Sequence, residues 1–397
     1  MSFSLQTALF LTSFAAALAS PSRAADALIS WERHSAELPE GIWSVEAIDV
    51  NGDGKLDLIA MGETKVYALI APEWKPDLLF DGKEPKFLYC VALDMDGDGD
   101  LDLALGRYRV PWAEYREARA AGKSAPEPKS PDFSLAWIEN PGRDRRAWQL
   151  HILDRELNGI HGLCAADIDG DGKKDLISDS IMGPAFPKSL VWFNGGKQLP
   201  RDATLRHVIT HVGADGRPHY LEVADLDGDG LSELLLGDSG GGTFTFWKRK
   251  ADLQQPWTKH LIAKENGATN IRAARINRDS MIDVVGSCGH GRGVFWFEAP
   301  GWSKHPIDPE FATPHALACA DFDGDGDIDV AAASFTALEV RWYENDGNGN
   351  FVTHTIDTGH QQQSYDMKTV DLDGDGRTDL ILAGRETRNA VWFRNRK

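Results

Sequence analysis

Residues 321–329 read DFDGDGDID, and residues 371–379 read DLDGDGRTD. The same nine-residue grammar begins at Asp49 (DVNGDGKLD), Asp94 (DMDGDGDLD), Asp167 (DIDGDGKKD) and Asp225 (DLDGDGLSE), and in degenerate form at Arg275 (RINRDSMID). Carboxylates at positions 1, 3, 5 and 9, with glycines that let the chain turn sharply, make an oxygen cage suited to Ca²⁺. A unit that returns every 45 to 73 residues also signals a repeat architecture.

The sequence around each loop repeats too. A short apolar run precedes it, as in Leu163-Cys164-Ala165-Ala166, and a second follows, as in Asp329-Val330-Ala331-Ala332. Both have strand length. An aromatic strand comes next, such as Val191-Trp192-Phe193 or Phe295-Trp296-Phe297. After a turn, a fourth strand opens on Trp-x-x-His: Trp31 to His34, Trp148 to His151, Trp257 to His260 and Trp302 to His305, with Thr204 to His207 and Phe351 to His354 as variants. Four antiparallel strands per unit and seven units describe an all-β, seven-bladed β-propeller. The chain stops on an aromatic third strand, Ala390 to Asn395, and starts with an orphan fourth strand at Trp31 to Ser35. Pairing of these two N- and C-terminal strands would close the ring and leave no free edge. EF-hands are a poor fit: strands flank these loops, and position 12 of the last one is Leu382, not a glutamate.

The formal net charge of −19 argues against a nucleic-acid partner. Much of the excess is local, since the six well-formed loops hold 25 carboxylates. Six divalent ions would offset about twelve of those charges. Residues 1–24 read as an export signal. Ala8 to Ala19 is apolar but too short to span a bilayer, and cleavage fits after Ala24 or Ala19, although the leading segment carries no Lys or Arg. The expected organisation is therefore a leader over 1–24 and a propeller over 25–397, exported to a periplasmic or extracellular space where Ca²⁺ is abundant. No other segment is apolar enough to cross a membrane. Cys90, Cys164, Cys288 and Cys319 form no disulfide framework or C-x-x-C pair, and read as small buried hydrophobes.

The loops resemble those of the FG-GAP/VCBS repeat family of calcium-binding propellers, found in integrin α heads and many exported bacterial proteins. The resemblance covers about residues 31–397, although the Phe-Gly and Gly-Ala-Pro signatures that name the family are absent. It implies about six structural Ca²⁺ ions, each held by side chains at positions 1, 3, 5 and 9 plus the carbonyl of position 7. The implied ligands are Asp49, Asn51, Asp53 and Asp57; Asp94, Asp96, Asp98 and Asp102; Asp167, Asp169, Asp171 and Asp175. They continue with Asp225, Asp227, Asp229 and Glu233; Asp321, Asp323, Asp325 and Asp329; Asp371, Asp373, Asp375 and Asp379. Blade 5 departs, with Arg275 at the first ligand position and Arg278 and Ser280 for the glycines. No metal is expected there, and the Arg275 guanidinium is expected to pair with Asp279 or Asp283.

The face opposite the acidic loops is where a propeller presents its channel mouth. His161, His219 and His315 share one position, six residues before their loops, where the other blades carry Trp43, Leu88, Thr269 and Tyr365. Equivalent positions converge on the axis, so three imidazoles could hold Zn²⁺ or a similar metal with an open position, or act as acids and bases. The bland reading, that they cap strands or bond backbone, stays open. Histidines of the fourth strand recur in six blades and read as structural. Loops on the same face add Arg107, Tyr108, Arg109, Asp179, Asp238, His290, Arg292, Arg385 and Glu386, each of which alone reads as a solvated loop charge. Trp43, Tyr89 and Tyr365 offer stacking faces for a sugar ring. The insertion Val110 to Phe133, with a helix-like stretch Trp112 to Ala121, is a candidate lid or a surface decoration.

Histidines converging on such a propeller, as in GRPHYLEVADLDGDG (residues 216–230), are also similar to the propeller part of aldos-2-ulose dehydratases, whose cupin part is absent here. That likeness implies a metal on His161, His219 and His315 that polarises a sugar carbonyl, with His290 or Tyr365 as the base. Two functions therefore stand: a carbohydrate-active lyase or dehydratase acting on oxidised sugars, and a non-catalytic glycan- or protein-binding propeller. Oligomeric state is not written in the sequence.

Overall fold

The computed structural model describes residues 29–396, apart from 84–85, 109–113, 115–116, 119, 124–132, 143–146, 183–186, 196–205, 214–215 and 254. The expected leader, Arg109 and half of the 112–121 stretch lie outside the described residues. Within that stretch Glu117, Ala118 and Ala120 are helical, and the amide of Ala121 donates to the carbonyl of Glu117. No helix among the described residues is long and apolar enough to cross a membrane.

Seven four-stranded antiparallel sheets form the blades, and the first strand of each packs against the first strands of two neighbours, which closes a ring. The chain is thus an all-β, seven-bladed propeller. Its last sheet runs Ser30–Glu37, Asn389–Arg396, Asp379–Gly384, Asp366–Val370, so the N-terminal strand completes the C-terminal blade. Trp31 pairs with Asn395 and His34 with Trp392, as the orphan-strand reading expects.

The core is divided into seven apolar layers, each between two adjacent blades. One joins Phe322, Ala331 and Trp342 of blade 6 to Met367, Leu380 and Phe393 of blade 7. The layer across the closure packs Ile381, Ala390 and Trp392 against Ile42, Leu58 and Tyr67. Alternating Val, Ile, Leu and aromatic side chains on pleated strands make these layers. Among the described residues, each of the seven interfaces between blades has such a layer.

The fourth-strand histidines have a definite job. His151 stacks on Trp137 with ring centroids 4.2 Å apart, His207 on Trp192 at 4.2 Å, His305 on Trp296 at 4.3 Å and His354 on Trp342 at 4.4 Å. His260 covers Phe246, and His34 covers Trp392 across the closure. Three of these imidazoles also bond a glutamate on the third strand: His151 with Glu139, His305 with Glu298 and His354 with Glu344. Each ring caps the outer edge of its blade's aromatic residue.

Position 9 of the acidic loop is a structural clamp. Asp329 accepts the amides of Phe322 and Asn345, Asp379 those of Leu372 and Asn395, and Asp102 those of Met95 and Asn140. The carboxylate so ties the loop to the end of the third strand, and it is fully buried. This explains why blade 5 keeps Asp283, which accepts the amides of Ile276 and Ala299. The expected ion pair between Arg275 and Asp279 or Asp283 is not made. Arg275 is exposed, the Asp283 oxygens are engaged by those amides, and Asp279 accepts the amide of Met281. The guanidinium that forms a pair is Arg278, 2.8 Å from Asp327 of blade 6. Ser280 replaces a glycine yet keeps its left-handed turn at φ 74°.

Candidate functional site

The imidazoles reach the channel through a repeated backbone irregularity. In blades 1, 2, 4 and 6 the pairing of the first strand skips one residue, and that residue is Trp43, Leu88, His219 or His315. In blade 7 the Tyr365 amide donates to Ala383, the residue that Asp366 also faces. A bulge turns the side chain of its extra residue out of the alternating pattern. Here it turns them toward the ring's axis, at the face opposite the acidic loops.

His219, His290 and His315 each place a ring nitrogen within 4.8 Å of the others. His219 and His315 are buried, whereas His290 is exposed. His161, expected in the trio, stacks on His219 at 4.5 Å but gives its Nε2 to the Tyr108 hydroxyl at 2.7 Å. His290, expected as a base, stands instead with the cluster of donors. Tyr365 lies against His315 at 4.3 Å, and its carbonyl accepts from the Tyr220 hydroxyl at 2.7 Å.

The protonation pattern follows from the partners. His315 Nδ1 lies 2.9 Å from the Tyr365 carbonyl, which can only accept, so Nδ1 carries the proton and Nε2 a lone pair. His219 Nε2 then donates to that lone pair at 3.1 Å, which leaves His219 Nδ1 buried without a partner. Burial, then the neighbouring imidazoles, pushes His161 and His315 down to about 3. His219 is held well below the usual histidine range for the same reasons, and burial lowers His290. All four are neutral at ordinary pH, the form that binds a metal ion.

The donor set fits a transition metal. Nitrogen ligands at about 2.0–2.1 Å on a tetrahedral ion sit about 3.3 Å apart, close to the observed Nε2 separation. The bond from His315 Nδ1 to a backbone carbonyl is the outer-shell contact that fixes such a ligand.

Around this cluster stand an aromatic wall and a cation. The Arg385 guanidinium lies 4.8 Å from the ring centres of Trp43 and Phe335 and 5.6 Å from that of Tyr365, and it pairs with Glu386. Arg217 adds positive potential to His161, His219 and His290. Of the loop charges, Arg107 is a core residue: it is 1% exposed, lies over Phe133 and donates to the Phe133 carbonyl. Asp179 and Asp238 accept the backbone amides of His161 and Arg217 and anchor the starts of their inner strands. Burial pushes Asp179 well above the usual carboxylate range.

Deeper in the channel, three residues before each loop, lies a charged belt. Lys368 pairs with Glu46 at 3.0 Å and Arg272 with Glu222 at 3.4 Å, while the other blades place Val91, Cys164 and Ala318 there. Below the mouth, Asp366 accepts from Ser44 and Tyr89. Sequence reading missed this belt, along with Tyr220, Phe335 and Arg217. Aligning the blades by offset from the loop would have exposed the belt and Tyr220, whereas Phe335 and Arg217 sit on irregular segments with no shared offset.

The acidic loops occupy the opposite face. Asp94, Asp96 and Asp102 in blade 2 and Asp321, Asp323 and Asp325 in blade 6 are among the groups that bring carboxylate oxygens within 4.8 Å of one another. In blade 4 the Lys248 ammonium bonds Asp227 and lies 2.9 Å from Asp229 and 3.8 Å from Glu233, whose Oε1 is buried without a hydrogen-bond partner. Burial, with help from nearby carboxylates, pushes Asp102, Asp329 and Glu233 up to about 7. The loop thus gathers carboxylates that burial and mutual repulsion hold above their usual range.

Residues 321–382 match the FG-GAP-like repeat family. No curated protein matches the chain in sequence. Among solved structures, a lectin of Agrocybe aegerita described as recognising non-reducing terminal N-acetylglucosamine is 16% identical, with 90% of this chain and 86% of that one covered at a TM-score of 0.54. Virginiamycin B lyase of Staphylococcus aureus is 10% identical, with 92% and 99% covered at a TM-score of 0.60. A catalytically inactive histidine-to-alanine form of that lyase with quinupristin is 12% identical over 92% and 99%, at a TM-score of 0.58. At these identities the likeness is one of fold.

Proposed function

From the premise of a seven-bladed FG-GAP-type propeller, we propose that the chain is an exported, calcium-stabilised lyase that eliminates water or an alkoxide from a carbonyl-bearing sugar at the channel mouth. The observation that carries this reading is the grouping of His219, His290 and His315, three neutral imidazoles with nitrogens within 4.8 Å. A divalent transition metal held by them would supply Lewis-acid polarisation of a carbonyl oxygen. The chain's own residues do the rest. Trp43, Phe335 and Tyr365 give the sugar ring an apolar face, and Arg385 sits beside it to orient polar substituents. Tyr108 and His161 form a proton relay at 2.7 Å. In the elimination, Tyr108 Oη takes the proton beside the carbonyl while its own proton passes to His161 Nε2. The C–H pair becomes the new double bond, and the C–O bond breaks with its electrons on the departing oxygen, which takes a proton from water at the open mouth; the hydroxide so formed takes the proton from His161 and resets the pair.

A lectin of the same fold and the aromatic wall favour a second reading, a glycan-binding propeller without chemistry. Incubation with a panel of keto- and uronic sugars, read by the absorbance of a new conjugated carbonyl, separates the two. The lyase reading expects product from the native protein, a fall of about a hundredfold or more in Tyr108→Phe, and none from His219→Ala or His315→Ala. Saturable sugar binding with no product and no transition metal would leave the binder.

A further inference from the structure

In blades 3, 4, 5 and 7 the residue near the end of the third strand lies against position 3 of its own blade's acidic loop. Asn194 Nδ2 donates to Asp169 at 2.7 Å, Lys248 bonds Asp227, Arg394 lies 3.6 Å from Asp373, and in blade 5 Glu298 accepts from Asn277 at 3.2 Å. In blades 2 and 6 this residue is Glu139 or Glu344, bonded to the stacked His151 or His354. The next residue in each case, Asn140 or Asn345, gives its amide to position 9, Asp102 or Asp329, so both glutamates hold the register position that Asn194, Lys248 and Arg394 hold in their blades.

The charge inventory then splits. The blade 2 loop with its neighbour holds six carboxylates: Asp94, Asp96, Asp98, Asp100, Asp102 and Glu139. Blade 6 holds the same six at equivalent positions, with Arg278 on Asp327. Blade 4 has four carboxylates facing Lys248. Blade 7 has four facing several guanidiniums: Arg377 bonds Asp375, and Arg396 lies 3.1 Å from Asp373 and 3.4 Å from Asp375.

We propose that the third-strand end residue sorts the loops into two classes of divalent-cation site: tight ones in blades 2 and 6, completed by Glu139 and Glu344, and weak ones in blades 4 and 7, where Lys248 and the arginines must be displaced before the ion enters. The inference rests on the calcium reading of the loops. Ligand charge sets the affinity of oxygen cages for Ca²⁺ over orders of magnitude. An ammonium already inside the cage adds a competitor that is part of the chain. Blades 1 and 3, with Ile70 and Asn194 at this position, fall between.

The test is calcium titration of the chelated full-length protein, counting bound ions by native mass spectrometry at fixed free Ca²⁺. Two ions should bind first, and the last two should bind at least about a hundredfold more weakly. Glu139→Gln and Glu344→Gln should each weaken one early site about tenfold, whereas Lys248→Gln should strengthen one late site by a similar factor. The opposite signs keep the test decisive if one variant folds poorly. Six equal sites, or variants that leave the isotherm unchanged, would overturn the two classes while keeping the loops as calcium sites. No calcium uptake at all would overturn both.

Discussion

Single residues in this chain carry double duties that their type alone does not reveal. Asp283 sits in a loop that has lost its metal-site signature, yet its carboxylate ties two buried amides together. Asp283→Ala should therefore cost about 3 kcal/mol through two unsatisfied backbone donors, seen as a lowered Tm with or without calcium. An unchanged Tm would remove the clamp. The channel imidazoles make a second residue-scale prediction. His161 is held down at about 3 in the folded protein, while an unfolded histidine titrates near 6.5. The unfolded chain therefore gains a proton first, so stability is kept above about pH 6.5 and lost as the pH falls toward 3. Native protein should lose more Tm between pH 7 and 4 than His161→Gln, and parallel curves would contradict this. The acidic positions of the loops were legible because carboxylate spacing is local. The identity of the imidazole trio was not, because His290 comes from the turn after a second strand and not from the shared first-strand position of His219 and His315.

Elements were the easiest scale to read. Strand length, aromatic third strands and the orphan Trp31 segment point to four-stranded blades and to the closure, and the register Trp31–Asn395 agrees. Bulges were not legible, since Trp43, Leu88, His219 and His315 have no composition in common. They are set by how the first strand must bend to meet the second at the mouth. The closing strand gives a sharp expectation. Removing residues 29–37 strips His34 from Trp392 and exposes the backbone edge of Asn389–Arg396. An uncovered edge recruits other strands. The truncated chain should melt well below the intact one and aggregate at concentrations where the intact chain stays monodisperse, as light scattering during a thermal ramp would report. Equal melting and scattering would mean that the ring does not depend on its latch.

The whole molecule is a ring with two unlike faces. One face clusters carboxylates that repel one another unless a cation intervenes, and the other gathers neutral imidazoles beside an aromatic wall. The two ion pairs of the belt, Glu46–Lys368 and Glu222–Arg272, stand between them in the channel. Chelation should lower Tm by roughly ten degrees or more, because several buried position-9 carboxylates lose their counter-ion together, and restoring Ca²⁺ should recover it. A chelator melt without a shift would mean that the loops hold no calcium. Much of the net charge of −19 sits on the acidic face, in six loops that hold 25 carboxylates. The most direct measurement is diffraction with anomalous scattering from crystals of protein purified without chelator. The account predicts one transition-metal ion on His219, His290 and His315, absent from His315→Ala crystals of the same fold, with calcium confined to the acidic loops. Imidazoles with no metal in native crystals that carry loop calcium would contradict it.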